Sequence, residues 1–229
     1  MAEELRMKII ARIHTDFPTK FGIPRQSGLV EELKSTLVFE PEYRDENALR
    51  GIEQFSHLWL IWQFSEAVRD DWSPTVRPPR LGGNTRIGVF ATRSPFRPNA
   101  IGLSSVKLEG VRRDPKYGMV LDLSCADLMD GTPILDIKPY IPFSDAHPEA
   151  SEGYTARTIA HTLEVDFPEE LLCRVPEGKR TALRGVLRQD PRPSYQEDPE
   201  RIYGFNFAGW EIHFRVAENR LTVTDVERA

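Results

Sequence analysis

The sequence predicts a mainly β protein, a closed or nearly closed antiparallel β-barrel with a small C-terminal α+β domain. Three observations carry this. Six or seven short apolar runs, several of them alternating with period two, fill the first 145 residues. Clusters of Gly, Pro, Asn and Asp separate them, as turns between strands require. No strand–helix–strand alternation is visible, and no G-x-G-x-x-G loop leads from a strand into a helix, so a Rossmann-type fold is not expected. Closing so many short strands into a barrel removes exposed sheet edges.

In chain order the expected strands are Lys8 to Ile13, Ser35 to Phe39, Ser56 to Phe64, Arg86 to Ala91, Ile101 to Leu108, Met119 to Cys125 and Ile134 to Ile141. In Met119 to Cys125, Leu121, Leu123 and Cys125 alternate with Val120, Asp122 and Ser124. The turns fall at Gly22-Ile23-Pro24, Gly82-Gly83-Asn84, Arg97-Pro98-Asn99, Asp114-Pro115 and Asp130-Gly131-Thr132-Pro133. Asp45 is placed to cap a short helix over DENALRGIEQF. A second unit begins near Tyr154 to His161. Pro176 opens a helix over EGKRTALRGVLRQ, with Ala182, Val186 and Leu187 roughly on one face. Two alternating runs, Tyr203 to Val216 and Leu221 to Val226, then meet at the turn signal Glu218-Asn219. The expected division is a barrel domain over 1–150 and an accessory domain over 155–229.

Composition narrows the function classes. The chain has 229 residues, a net charge of −5, 40% hydrophobic and 28% charged residues, an ordinary globular balance. Its two cysteines, Cys125 and Cys173, form no C-x-x-C pair, and the five histidines lack the H-x-x-x-H spacing of a helical metal site, so no metal is expected. No basic leader precedes an apolar run, and no stretch reaches the roughly 18 apolar residues of a membrane span. A soluble, cytoplasmic protein is expected.

Net charge conceals a polarised chain. Residues 72–108 hold six of the 30 basic residues (Arg77, Arg80, Arg86, Arg93, Arg97 and Lys107) and none of the 35 acidic ones. These arginines sit among Pro, Gly, Asn and Phe, and a guanidinium presents a rigid fork of donors to carboxylate or phosphate. Arg93 and Arg97 straddle Pro95, whose fixed φ reduces the entropy lost when an anion is bound. Three further segments look built for a shared site: the polar turn Phe21 to Gln26, the turn Asp130 to Pro133, and Asp136-Ile137-Lys138-Pro139-Tyr140, where Asp136, Lys138 and Tyr140 face one side. Trp59, Trp62 and Phe64 are assigned to barrel core or subunit packing.

GIPRQ at 22–26, FSHLWLIW at 55–62, VRPPRLGGNTRIGVFATRSPFRPNAIGLS at 76–104 and DLMDGTPILDIKPYIPFSD at 127–145 resemble, in order, the signature blocks of the TsaA-like family. These are tRNA methyltransferases acting on N6 of threonylcarbamoyladenosine at position 37. RQDPRPSY at 188–195 resembles the extra domain of the longer bacterial members. Ala100 departs from the family's Pro and Trp62 from its usual Phe, and neither change removes a polar site residue.

The resemblance implies an S-adenosylmethionine enzyme on a β-barrel, working as a homodimer on the tRNA anticodon stem-loop. It implies a cofactor pocket lined by Pro24, Arg25, Gln26, Ser65, Glu66, Arg93, Leu103, Gly131, Thr132 and Pro133. Arg25 or Arg93 then pairs with the cofactor carboxylate, and the Gly131 and Thr132 amides hold adenosine or ribose. N6 of the acceptor is a delocalised, weakly nucleophilic nitrogen, so a general base is useful. Asp136 is the candidate, assisted by Lys138 or Tyr140. Arg77, Arg80, Arg97 and Arg192 are the candidate RNA contacts, with Arg97 suited to the threonyl carboxylate. Two other readings remain open: a non-enzymatic RNA-binding barrel, and a methyltransferase for a small amine.

Overall fold

The computed structural model describes residues 5–78, 81, 85–157, 162–192 and 198–229. Within these, β1 (Ala11–His14), β2 (Lys34–Phe39), β3 (His57–Gln63), β4 (Thr75–Val76), β5 (Ile87–Gly88), β6 (Ile101–Asp114), β7 (Gly118–Ser124) and β8 (Thr132–Pro139) precede a short helix α1 (Pro142–Asp145). The remainder holds β9 (Glu164–Asp166), α2 (Glu169–Leu172), α3 (Glu177–Arg188), β10 (Tyr203–Phe207), β11 (Trp210–Ala217) and β12 (Arg220–Arg228).

Six strands close a barrel in the order β1-β2-β7-β6-β3-β8, every pair antiparallel. So narrow a barrel is filled by side chains. Ile13, Leu37, Leu58, Leu60, Val106, Leu121 and Ile134 are fully buried there. In β3 the even positions Leu58, Leu60 and Trp62 point inward, and the odd ones lie half-buried or exposed outside. Period-two alternation therefore located the barrel wall.

Two expected elements of the barrel half differ. Over Arg86 to Ala91 only Ile87–Gly88 is strand, paired with β4. Val89–Ala91 forms a 3-10 turn, because the Thr92 N–H and hydroxyl both donate to the Val89 carbonyl, at 3.1 and 2.9 Å. The segment after Asp45 is two 3-10 turns, Glu46–Leu49 and Ile52–Gln54, interrupted at Gly51. Asp45 does cap, accepting from the Asn47 N–H at 2.9 Å.

The pairings place the end of β1, the start of β2, the end of β3, the start of β6, the end of β7 and the start of β8 at one rim. The connections 15–33, 64–100 and 125–131 all leave from that rim. The C-terminal sheet, ordered β10-β11-β12-β9 with β9 parallel to β12, packs there too. Its core joins Leu183, Val186 and Leu187 of α3 and Phe205, Phe207 and Phe214 of the sheet to Phe17, Val30 and Leu33 of the 15–33 connection. The Asp16 carboxylate accepts from Lys179 at 2.6 and 2.8 Å across this junction. The run Tyr203 to Val216 proves to be two strands, folded at Ala208-Gly209 so that Phe207 pairs with Trp210. No helix among the described residues is long and apolar enough to cross a membrane.

Candidate active site

The rim site starts from the 22–26 turn. Gly22 has φ +88°, and a Cβ there would lie 2.2 Å from Cδ2 of Phe205, so the turn is pressed against the C-terminal sheet. Pro24 is buried behind it. Gln26 ties the turn together: its Nε2 donates to the Arg25 carbonyl, and its Oε1 accepts from the Arg93 guanidinium. Arg93 is exposed and keeps further N–H donors beyond that bond. Gln26 thus ties two sequence-distant segments, 22–26 and 92–97, to each other, with the Arg25 guanidinium directed to the Arg192 carbonyl at 3.3 Å. Arg97 donates to the Thr92 carbonyl at 3.0 Å, which stiffens the turn carrying Arg93.

Beneath this surface lies a polar chain. Trp62 Nε1 donates to Ser104 Oγ at 3.0 Å, and Ser104 Oγ donates to Asp127 Oδ1 at 2.6 Å. Burial pushes the Asp127 carboxyl pKa up; the Ser104 hydroxyl, backbone N–H groups including that of Ser27, and the Arg93 charge pull the other way. Asp127 was not singled out from the sequence, although it stands in DLMDGTP. The available signal was Ser104, a polar residue at an inward strand position that burial leaves needing a partner.

Other expected pocket residues fall at the same rim in different roles. Ser65 and Glu66 are exposed on the turn directly after β3. Thr132 and Pro133 are buried at the start of β8. The Gly131 N–H donates to the Ile13 carbonyl at 2.8 Å and the Thr132 N–H to the Met129 carbonyl at 3.2 Å, so the two amides expected to hold adenosine are committed to the fold. The Gly131 carbonyl accepts from Arg12, and Asp130 accepts from the Thr15 N–H at 3.0 Å.

Asp136, Lys138 and Tyr140 share the outer face of the wall rather than converging on the rim. A bulge in β8 sets this. Asp136 pairs with Ile61 but Ile134 with Trp62, so Leu135 is the extra residue and Asp136 turns outward. Asp136 pairs with Lys138 at 3.0 Å, and the Tyr140 ring rests against Trp59. Asp136 stands about 13 Å along the strand from Thr132. Leu103 is the neighbour of Ile61 on its other side, half exposed, so Leu103 and Asp136 flank one outer position. Trp59 donates to Asp145 at 2.8 Å; with the Ile141 N–H, this holds the Asp145 carboxyl below its ordinary range.

Of the expected RNA contacts, Arg77 is exposed at the end of β4, and Arg80 lies outside the described residues. Arg192 differs from expectation. Its side chain is only 13% exposed and forks onto Asp190 at 2.8 and 2.9 Å, while its carbonyl accepts from Arg25 at 3.3 Å. It braces the rim, because Asp190 two residues away captures its donors. Among the described residues no cluster of His, Cys, Asp and Glu is placed to hold a metal ion.

Family models match the chain twice: the tRNA-methyltransferase O N-terminal domain over residues 12–146, and the TrmO C-terminal domain over 160–229. The chain is 44% identical to a tRNA (adenine(37)-N6)-methyltransferase of Escherichia coli K12, over 94% of its own length and 92% of that protein's. It is 41% identical, over 90% of each, to a Pseudomonas aeruginosa protein named as a candidate S-adenosylmethionine-dependent methyltransferase. A crystal structure of TrmO from Pseudomonas aeruginosa superposes with a TM-score of 0.80 at 34% identity, covering 100% of this chain and 99% of the other.

Proposed function

Because the chain belongs to the tRNA-methyltransferase O family, we propose that it transfers a methyl group from S-adenosylmethionine to N6 of adenosine 37 in tRNA, with threonylcarbamoyladenosine as the form acted upon. The observation that carries this reading is the rim cluster in which Gln26 ties the Arg93 guanidinium to the backbone of the turn carrying Arg25, close to the half-buried Asp127.

The residues fit the cofactor. The exposed Arg93 guanidinium, held by Gln26, suits its carboxylate, with Arg25 on the adjoining turn as the second candidate, and rigid mounting limits the entropy lost on binding. Pro24 and Pro133, both buried, fix the backbone of the two segments at this rim. Bound S-adenosylmethionine supplies an electrophilic methyl on sulfur: the N6–carbon bond forms as the carbon–sulfur bond breaks, and sulfur keeps the bonding pair. This chain's part is orientation, on the order of 7–11 kcal/mol when the reacting atoms are aligned. Asp136 accepts the N6 proton, with Lys138 holding its carboxylate and Tyr140 the carbamoyl oxygen. Arg97 selects the threonyl carboxylate, and the exposed Arg77 meets phosphate.

Asp136 and the rim lie on different faces of one barrel, so the proposal includes a homodimer. Trp59, Ile61, Ile101, Leu103 and Phe143 give the β3–β6–β8 side an apolar surface for a second copy, with Phe143 92% exposed. Leu103→Glu is expected to sediment as a monomer and to lose activity. The accessory domain over 155–229 shapes the 22–26 turn, and the enzyme works in the cytoplasm.

The test is incubation with isotopically labelled S-adenosylmethionine and tRNA, with and without the threonylcarbamoyl group, followed by mass analysis of digested nucleosides. Label on the modified adenosine at position 37 supports the proposal. Label on a small amine only, or none, contradicts it.

A further inference from the structure

Exposed aromatic rings are costly unless something covers them. Trp72 is 52% and Phe90 73% exposed, and their rings lie 6.0 Å apart with a 30° tilt. The two are mounted deliberately. Trp72 leads into β4 and Phe90 follows β5, whose pairing of Thr75 with Gly88 and Val76 with Ile87 brings the flanking residues together. Phe90 sits on the turn fixed by buried Val89, whose N–H donates to the Pro74 carbonyl at 2.9 Å. The barrel core uses neither ring.

Exposed Asp70 and Asp71 directly precede Trp72, but from Trp72 to Leu108 every charged residue is basic, which favours an anionic occupant. Exposed Arg77 and Arg86 lie on the same two-stranded ribbon, and Arg86 donates to Thr75 at 3.1 Å. Arg69 covers Phe96, its guanidinium carbon 4.1 Å from the ring centre. Aromatic faces beside a cationic track are the means by which unpaired bases are held, stacking on the rings while the backbone follows the charges. The apolar surface suited to a second copy lies elsewhere, on the outer face of β3, β6 and β8.

We propose that Trp72 and Phe90 form a stacking platform for unpaired anticodon-loop bases flanking position 37. This rests on the methyltransferase reading above and adds the place where the loop is gripped. Phe90 is three residues from Arg93, a span of at most about 11 Å, so a base on the platform neighbours the nucleotide presented to the rim. Stacking is indifferent to base identity and insensitive to salt, which separates this contact from the arginines' phosphate contacts.

The experiment measures binding of an anticodon stem-loop to wild type, Trp72→Ala, Phe90→Ala and Trp72→Phe at several salt concentrations, with cofactor affinity and sedimentation alongside. The alanine variants are expected to weaken binding by about 5- to 150-fold. Trp72→Phe should retain most of the affinity, and the salt slope, cofactor affinity and oligomeric state should remain those of wild type. Quenching of Trp72 emission by the stem-loop, read as wild type minus Trp72→Phe, tests the same contact without an alanine variant. Unchanged stem-loop affinity, a shallower salt slope, or dissociation of a dimer overturns the platform. Wild-type protein that ignores the stem-loop overturns the methyltransferase reading as well, which distinguishes the two failures.

Discussion

Gly22 links the C-terminal sheet to the rim, and replacing it tests that link. Gly22→Ala forces a side-chain-bearing residue to φ +88°, at a cost of roughly 1–2 kcal/mol. The new methyl would also lie 2.2 Å from Cδ2 and 2.7 Å from Cε2 of Phe205, a buried ring, and overpacking of this kind adds roughly 1–3 kcal/mol. The expected loss is therefore about 2–5 kcal/mol. Gly28→Ala is the matched control: φ is +82° and a Cβ meets nothing within 4 Å, so only the backbone cost of about 1–2 kcal/mol applies. Relief in Gly22→Ala requires the turn to move off Phe205, carrying Arg25 and Gln26 with it. Cofactor affinity should then fall about tenfold or more, since small displacements are costly at an oriented site. Urea unfolding followed by tryptophan fluorescence, with calorimetric titration of S-adenosylhomocysteine, measures both effects. Equal unfolding midpoints for the two variants, with unchanged affinity in Gly22→Ala, would refute the claim that the C-terminal sheet holds the turn in place.

Asp127→Asn should alter stability against pH. Burial raises the folded-state pKa, so this group's contribution is most favourable below the ordinary Asp range and is lost as pH rises through the raised value. The Asn variant keeps an acceptor for Ser104 and should lack that decline, and urea midpoints that track wild type at every pH contradict the assignment. Glu109 behaves oppositely. Hydrogen bonds from Ser124, Lys34 and Lys107 lower its pKa to about 2, so its contribution is present above its ordinary 4.5 and lost as pH falls toward 2. Glu109→Gln should be flat across that window, and a wild-type acid limb in the variant would show the carboxylate is not responsible. Asp136→Asn should slow single-turnover methyl transfer across about pH 6–9, and wild-type rates there remove Asp136 as the base.

The barrel wall was legible because inward positions such as Leu58, Leu60 and Trp62 recur every second residue. Legibility failed where a local bond overrode the pattern. Thr92 turns Val89–Ala91 out of the expected strand, and the tight Ala208-Gly209 turn divides one apolar run into two strands. In the site, it is the family resemblance that gathers Arg25, Gln26 and Arg93 into one pocket, because no spacing rule joins positions so far apart in the chain. Barrel closure does. Asp127 escaped notice because its importance comes from burial beside Ser104, and the Gly131 and Thr132 amides looked available because the Ile13 and Met129 carbonyls they meet depend on the folded turn. Arg192 has the composition of a surface cation, and only the fold, by turning it onto Asp190, takes its guanidinium out of solvent.

The most direct measurement is a crystal structure with S-adenosylhomocysteine bound. The nucleoside is expected against the 24–26 turn, with its carboxylate on Arg25 or Arg93 and the Pro133 segment beside it. Ligand density in the crevice lined by Thr15, Asp16, Asp130, Lys179 and Asn206, between the barrel and the C-terminal sheet, with Gln26 and Arg93 still joined and nothing upon them, would contradict it.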